Sequence, residues 1–344
     1  MVWMAPCSSL PSHFPPSLHH QSTHLPISTL YFSSGTLLFS TRGNHLPARA
    51  RFHTNFARSD TDANQSSQSV QGDATSVATP SSSFLSVLCP LLKFFGGGDP
   101  SQERNEVFEA VTSSLSSFAR LPWGSKSLVS SSYGDEPTRN PSPYLQLYEF
   151  EACPFCRRVR EAMTELDLSA EVFPCPKGSL RHRTIVREIG GKEQFPFMID
   201  LNTGVSLYES GDIVKYLFQQ YGQGRQPSSG LLESTLLTGW VPTLLRAGRG
   251  MTIWDRAAKK PPEQKIELFS FENNPYARIV REAICELELP YIVHNVGQGS
   301  AKSELLIKLS GSKEVPYLVD PNTGVRMGDY KKILSYLFLE YSDK

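Results

Sequence analysis

Residues 145–157 read LQLYEFEACPFCR, and residues 266–278 read IELFSFENNPYAR. In the first stretch Leu145–Phe150 alternates like a half-buried strand. Cys153-Pro154-Phe155-Cys156 follows, and Val159, Ala162, Met163 and Leu166 then fall at helical spacing. The second stretch repeats the pattern 121 residues later (145 to 266). VREAMTELDL (159–168) answers VREAICELEL (280–289) at the same shift. FPFMIDLNTGV (195–205) answers VPYLVDPNTGV (315–325), and YLFQQY (216–221) answers YLFLEY (336–341), at a shift of 120. Four matched blocks in one order mean two duplicated domains rather than a solenoid.

Each copy parses alike. In the first, Glu171–Pro174 reads as a short strand and Leu180–Ile189 as a helix. Phe197–Asp200 and Val205–Tyr208 flank Asn202-Thr203-Gly204, a hairpin signal, and Ser210–Tyr221 is a closing amphipathic helix. The order βαβαββα predicts an α/β fold in which a parallel βαβ unit joins an antiparallel hairpin, giving a mixed sheet with helices on its faces. The expected domains are 144–222 and 265–344. A connector, 223–264, contains Trp240, Pro242 and Trp254 and predicts short helices packed between the copies.

Upstream, Asp99-Pro100 reads as a helix cap and first turn. Val107, Phe108, Val111, Leu115 and Phe118 recur at helical spacing, which predicts a helix near 100–119 docked on the body. Residues 121–143, rich in Pro, Gly and Ser, complete a helix-plus-linker region over 99–143. Residues 60–98 read as disordered or linker, since 60–83 have almost no bulky apolar side chains. Residues 1–59 hold four arginines, no lysine and no acid, amid abundant Ser, Pro and Thr, as an organelle transit peptide does. The balance of hydroxylated residues is similar to that of chloroplast transit peptides, with the mitochondrion as the alternative. The remainder carries 30 basic and 34 acidic residues, so bulk charge gives no reason to expect nucleic acid. No apolar run reaches 18 residues, and no transmembrane segment is expected.

A strand running into Cys-Pro-Phe-Cys, then a helix, then a hydrophobic-Pro-hydrophobic strand, resembles the thioredoxin superfamily. Within it the chain is most similar to glutaredoxins and to the N-terminal domain of glutathione S-transferases, and it looks like a plant plastid protein with tandem domains of this type. Three matches carry the resemblance: Cys153–Cys156, Phe195-Pro196-Phe197 at the cis-proline position, and Tyr208-Glu209-Ser210. The resemblance implies two thioredoxin-like domains in tandem and a redox role for the first. It implies glutathione as co-substrate, contacted by Phe195, Pro196, Glu209 and Ser210, with no bound cofactor. Glu209 and Ser210 are equally readable as a plain helix cap. Residues 223–264 are too few for the all-helical domain of a transferase.

At a strand–helix junction, the unpaired N–H groups of the first helical turn favour a Cys153 thiolate. Arg157, Arg158 and Arg160 would add positive potential, against Glu151. Cys156, one turn on, is placed to resolve a mixed disulfide. A lone Cys-x-x-Cys has no second pair to complete a zinc site, so no metal is expected. Cys175 and Cys285 read as structural thiols, Cys7 as part of the targeting segment, and Cys89 is unassigned. The second copy has Asn274 and Ala277 in place of the cysteines, keeps Pro316, and has Asp329, Tyr330 and Lys331 opposite Glu209, Ser210 and Gly211. That copy is expected to bind a protein partner or to support the first. The leading expectation is a glutathione-linked thiol–disulfide oxidoreductase acting on glutathione or protein disulfides. The alternatives are a non-catalytic binding or scaffold protein and a glutathione transferase-like protein. A pseudo-twofold pairing of the copies, imitating a transferase dimer, is a further expectation.

Overall fold

The structure, a computed structural model, describes residues 98–102, 105–128 and 144–343. The expected targeting segment, the region up to residue 97 with Cys7 and Cys89, and most of the 121–143 linker lie outside the described residues. The first copy runs β1 (Leu145–Glu149), α2 (Pro154–Glu165), β2 (Ala170–Pro174), α3 (His182–Gly190), β3 (Phe197–Asp200), β4 (Val205–Leu207) and α4 (Ser210–Tyr221). The second runs β5 (Ile266–Ser270), α7 (Pro275–Glu286), β6 (Tyr291–Asn295), α8 (Ser303–Ser310), β7 (Tyr317–Asp320), β8 (Val325–Met327) and α9 (Tyr330–Glu340). Both follow the βαβαββα order. Ahead of the first copy lies α1 (Glu106–Phe118), and between the copies lie the short helices α5 (Ser234–Thr238) and α6 (Val241–Leu245).

The two expected sheets are one. β2 pairs antiparallel with β6, Ala170 opposite Val293 and Val172 opposite Tyr291. The order is β4-β3-β1-β2-β6-β5-β7-β8, symmetric about the β2–β6 seam. Each copy alone would end in an unpaired strand, and the seam pairs both. Cross-copy ion pairs frame it reciprocally: Arg181 meets Glu288, and Lys302 meets Asp167 at 3.2 Å.

The symmetry reaches beyond the copies. Arg120 binds Glu161 of α2, and Arg246, a shift of 126 on, binds Glu282 of α7. Gly124 and Gly250, both at positive φ, follow four residues later. Gly124 lies where a side chain would meet Glu161 and Glu272 at 3.0 Å, and at Gly250 one would meet Glu151 at 2.7 Å, so only glycine fits either bend. Each strap ends by bonding to its own copy's helix: Leu128 N to Glu165 O, and Trp254 N to Glu286 O. The segment 105–128 and the connector are thus twofold counterparts. α1 is one helix where the connector has two.

α1 begins at Glu106, capped by Asn105, while Asp99-Pro100 forms a separate turn capped by the Asp99 carboxylate. The helix is inverted. It buries Glu109, Thr112, Ser113, Ser116 and Ser117 and exposes the apolar residues that defined it in the sequence. The reason is what it packs on: the Arg246 guanidinium, which takes Glu109 and Thr112, and the Pro275 carbonyl, which takes Ser113.

Each hairpin carries a tyrosine clamp. Asp200 Oδ2 accepts from Tyr216 at 2.6 Å and Tyr221 at 2.5 Å, and Asp320 accepts likewise from Tyr336 and Tyr341. Burial raises the Asp200 pKa, but these hydroxyls and Asn202 outweigh it and hold the carboxyl below its usual value. A depressed folded-state pKa gives stability that is present above about pH 4 and lost as pH falls through the folded value. Tyr221→Phe should therefore cost about 1.5 kcal/mol at pH 7. The gap between urea midpoints of variant and parent should narrow at pH 3; an equal gap at both pH values would contradict the clamp.

Candidate functional site

Cys153 caps α2 with extended backbone, and its Sγ accepts the Cys156 N–H at 3.3 Å. Pro154 fits the first helical position, where no N–H is needed. The second copy shows the same cap without the sulfur: Asn274 Oδ1 accepts the Ala277 N–H at 2.8 Å. Geometry is retained there and redox chemistry is removed. The Phe195–Pro196 and Val315–Pro316 bonds are both cis. Phe195 packs edge-on to Phe150 and against the cluster that holds both cysteines.

Burial alone would push the Cys153 thiol up. The Cys156 thiol and the backbone N–H groups of Cys156 and Phe155 outweigh it and set the Cys153 pKa below the usual thiol value, with Glu149 opposing. Cys156 is pushed well above that value by burial and by bonding to Cys153. The pair is thus poised asymmetrically, with the anion favoured on the residue at the helix start. All four described cysteines are free thiols.

The three arginines do not act as expected. Arg157 pairs with Glu272 at 3.3 Å, and Arg160 pairs with Glu149, Glu151 and Glu272. Arg158 donates to Thr235, Leu232 O and Ser210. The charges of Arg157 and Arg160 are taken up by a buried network between α2 and α7 that Arg281 completes through Glu151 and Glu272, while Arg158 is held by neutral acceptors. The cause is the duplication. The polar faces of α2 and α7 would meet water in a single domain. Here they face the Glu151 and Glu272 carboxylates in the loops ahead of the two helices, and each charge needs a partner. Burial raises Glu149 to about 7, whereas the surrounding arginines hold Glu272 well below the carboxylate range.

Ser210 and Glu209 are separated in role. Ser210 is buried and its Oγ accepts from Arg158 at 3.2 Å. Glu209 has φ 53 and accepts from the Gln194 amide at the surface. Arg158 therefore joins the start of α4 to the helix that Cys153 caps.

The site is roofed by the connector. Thr243 Oγ1 donates to Ala152 O at 2.6 Å, Gly239 O accepts from Arg157, and Trp240 meets Phe155 edge-on. Met251 packs with Cys153, Cys156 and Cys285. Cys153 is left 2% exposed and Cys156 fully buried. Sequence reading missed this roof, because nothing local marks Thr243 or Met251. The one available signal was the pairing of Arg120-x-x-x-Gly124 with Arg246-x-x-x-Gly250. Cys285 donates to Gly250 O, and Cys175 donates to Phe173 O. Burial raises both thiols well above the usual value.

The corresponding face of the second copy is open. A pocket of about 730 Å³ is bounded by Asn274, Tyr276, Lys313, Pro316, Asp329 and Tyr330, among others. Tyr276 and Tyr330 lie 5.0 Å apart on its wall, and Asp329 caps α9 by accepting from Lys331 and Lys332 N–H. Among the described residues no group of three or more His, Cys, Asp or Glu is placed to hold a metal, and no helix is long and apolar enough to cross a membrane.

A strand that delivers a helix-capping residue beside a cis-proline strand defines a thioredoxin-like unit, and this chain has two, only one with cysteines at the cap. The family model described as glutathione S-transferase, N-terminal domain, matches residues 147–227 and 268–344, one match on each copy. No curated protein and no solved structure matches the chain.

Proposed function

We propose that the chain is a glutathione-linked thiol–disulfide oxidoreductase of the plastid, with Cys153 as nucleophile and Cys156 as resolving thiol. The observation that supports this reading best is the Cys153 sulfur at the start of α2, accepting the Cys156 N–H at 3.3 Å with the second thiol one turn on. The Cys153 thiolate attacks a disulfide RS–SR′, forms a Cys153–SR bond and releases R′S⁻. Capture removes the Cys153 charge and the hydrogen bond that had kept the Cys156 proton in place. Cys156 then loses its proton to the released thiolate, attacks Cys153 Sγ and expels RS⁻, leaving a Cys153–Cys156 disulfide. Two glutathione thiols reduce that disulfide and leave as glutathione disulfide. The backbone of Phe195, beside Pro196, is the expected contact for the peptide part of glutathione. The roof must lift for any of this, so turnover includes an opening step.

The test is reduction of a small glutathione mixed disulfide by the full chain. Cys153→Ser is expected to fall to the uncatalysed rate, and Cys156→Ser to keep monothiol turnover while losing protein-disulfide reduction. Equal rates for Cys153→Ser and the parent would reject the proposal. A second reading is favoured by the open pocket at Asn274: a binding protein whose second copy takes the ligand while the first is structural. Glutathione titration separates the two, since Tyr330→Ala would weaken binding on the second reading and leave it unchanged on the first.

A further inference from the structure

The inverted helix α1 presents Val107, Phe108, Val111, Leu115 and Phe118 outward, with Leu121 just beyond it; Phe108 is 63% exposed and Phe118 72%. Six large apolar side chains on one stripe are not how a helix meets water. The polar face is already committed to Arg246 and Pro275, so the helix cannot roll to bury its apolar side. The end of α1 borders the connector. Arg120, two residues after α1, bonds Ser234 and Thr238 of α5, where Leu236 and Leu237 are also exposed.

We propose that this stripe is the docking site of the chain's own residues 84–95, FLSVLCPLLKFF, which lie outside the described residues. Eight of those twelve residues are Phe, Leu or Val, and Lys93 is the only charge. Gly96-Gly97-Gly98 follows, and then the Asp99–Gln102 turn. Gly98 and the Asp99–Gln102 turn are fixed, with Asp99 paired to Arg256, and from Gly98 the twelve residues 84–95 extend up to about 40 Å beyond a three-step glycine link. The helix is about 20 Å long. The segment is therefore long enough to cover the stripe from end to end, joined to the turn by three glycines that leave the chain free to change direction. The size of the stripe fits this occupant better than a second copy. A stable dimer engages about 20–30 residues a side. The six residues of this stripe match one short segment laid along one helix. Cys89, which the sequence leaves unassigned, falls in the middle of the segment.

Cysteine placement tests the inference in the full chain. In the Leu115→Cys variant, a short bis-maleimide should join the introduced thiol to Cys89 within one chain, read by peptide mapping, and Cys89→Ser should abolish that link. Adding Leu88→Asp and Leu92→Asp should release the segment and speed labelling of the introduced thiol by a monofunctional maleimide about tenfold. Links between the introduced thiols of two chains at low protein concentration would assign the face to a second copy. Labelling of the introduced thiol at the rate of an open thiol, slowed only by added phospholipid vesicles, would assign the face to a membrane surface. Either result overturns the proposal.

Discussion

Glu272→Gln is expected to destabilise the folded chain by about 3–5 kcal/mol, more than any other conservative change. One buried carboxylate faces Arg157 at 3.3 Å, Arg160 at 2.8 Å and Arg281 at 3.0 Å. Glutamine keeps the shape and removes the charge, which leaves Arg157 without a counter-ion and leaves Arg160 and Arg281 only Glu149 and Glu151, away from water. The effect has a pH signature. The Glu272 carboxyl is held below its unfolded value, so its contribution is full above about pH 4.5 and fades as pH falls through the folded value. Urea unfolding of Glu272→Gln against Glu171→Gln is the measurement. Glu171 pairs with Lys265 at 3.0 Å but is part-exposed, and such a pair is worth at most about 1 kcal/mol. Equal losses in the two variants would show that the network between the helices contributes no more than surface charge.

Thr243→Val is expected to raise the alkylation rate of Cys153 by about 5- to 100-fold. The substitution keeps the shape of the roof and removes the hydrogen bond to Ala152 O, stranding a buried carbonyl at a cost of about 1–3 kcal/mol. If reagent reaches Cys153 only when the roof lifts, that cost appears as a larger open population, tenfold for each 1.4 kcal/mol. Iodoacetamide labelling followed by peptide mapping reads the rate directly. The pH profile should place the Cys153 midpoint below that of a free thiol, with Cys156 unlabelled through the neutral range. An unchanged Cys153 rate would mean that the sulfur is reached by a path that bypasses the connector.

These expectations rest on features of unequal visibility in the sequence. The repeat was legible because it is covalent and local. Strand alternation, the Cys-Pro-Phe-Cys cap and the Asn-Thr-Gly hairpin each declare themselves within about ten residues. The union of the sheets was not legible, since a β2 that ends a sheet and a β2 that joins β6 need the same apolar residues. α1 misled for a physical reason. Periodicity identifies the apolar face, and a lone helix buries that face. Here Arg246 and the Pro275 carbonyl override it with polar contacts that come from residues more than a hundred positions away. The arginines after Cys156 misled similarly, because sequence proximity suggested a field on the sulfur, while Glu149 and Glu151 of the first copy and Glu272 of the second take up the charge of Arg157 and Arg160. The cap geometry itself was readable, and Asn274 marks it independently of any sulfur.

The antiparallel seam between Ala170–Val172 and Tyr291–Val293 has a practical corollary. Cutting the gene between its two halves would not yield two miniature proteins. Each fragment would carry a raw hydrogen-bonding flank together with a helix whose buried charges had lost their counterparts. Such fragments should stick to one another, or complement in trans when mixed, and reactivity assigned to the cysteine-bearing half in isolation would describe a different molecule.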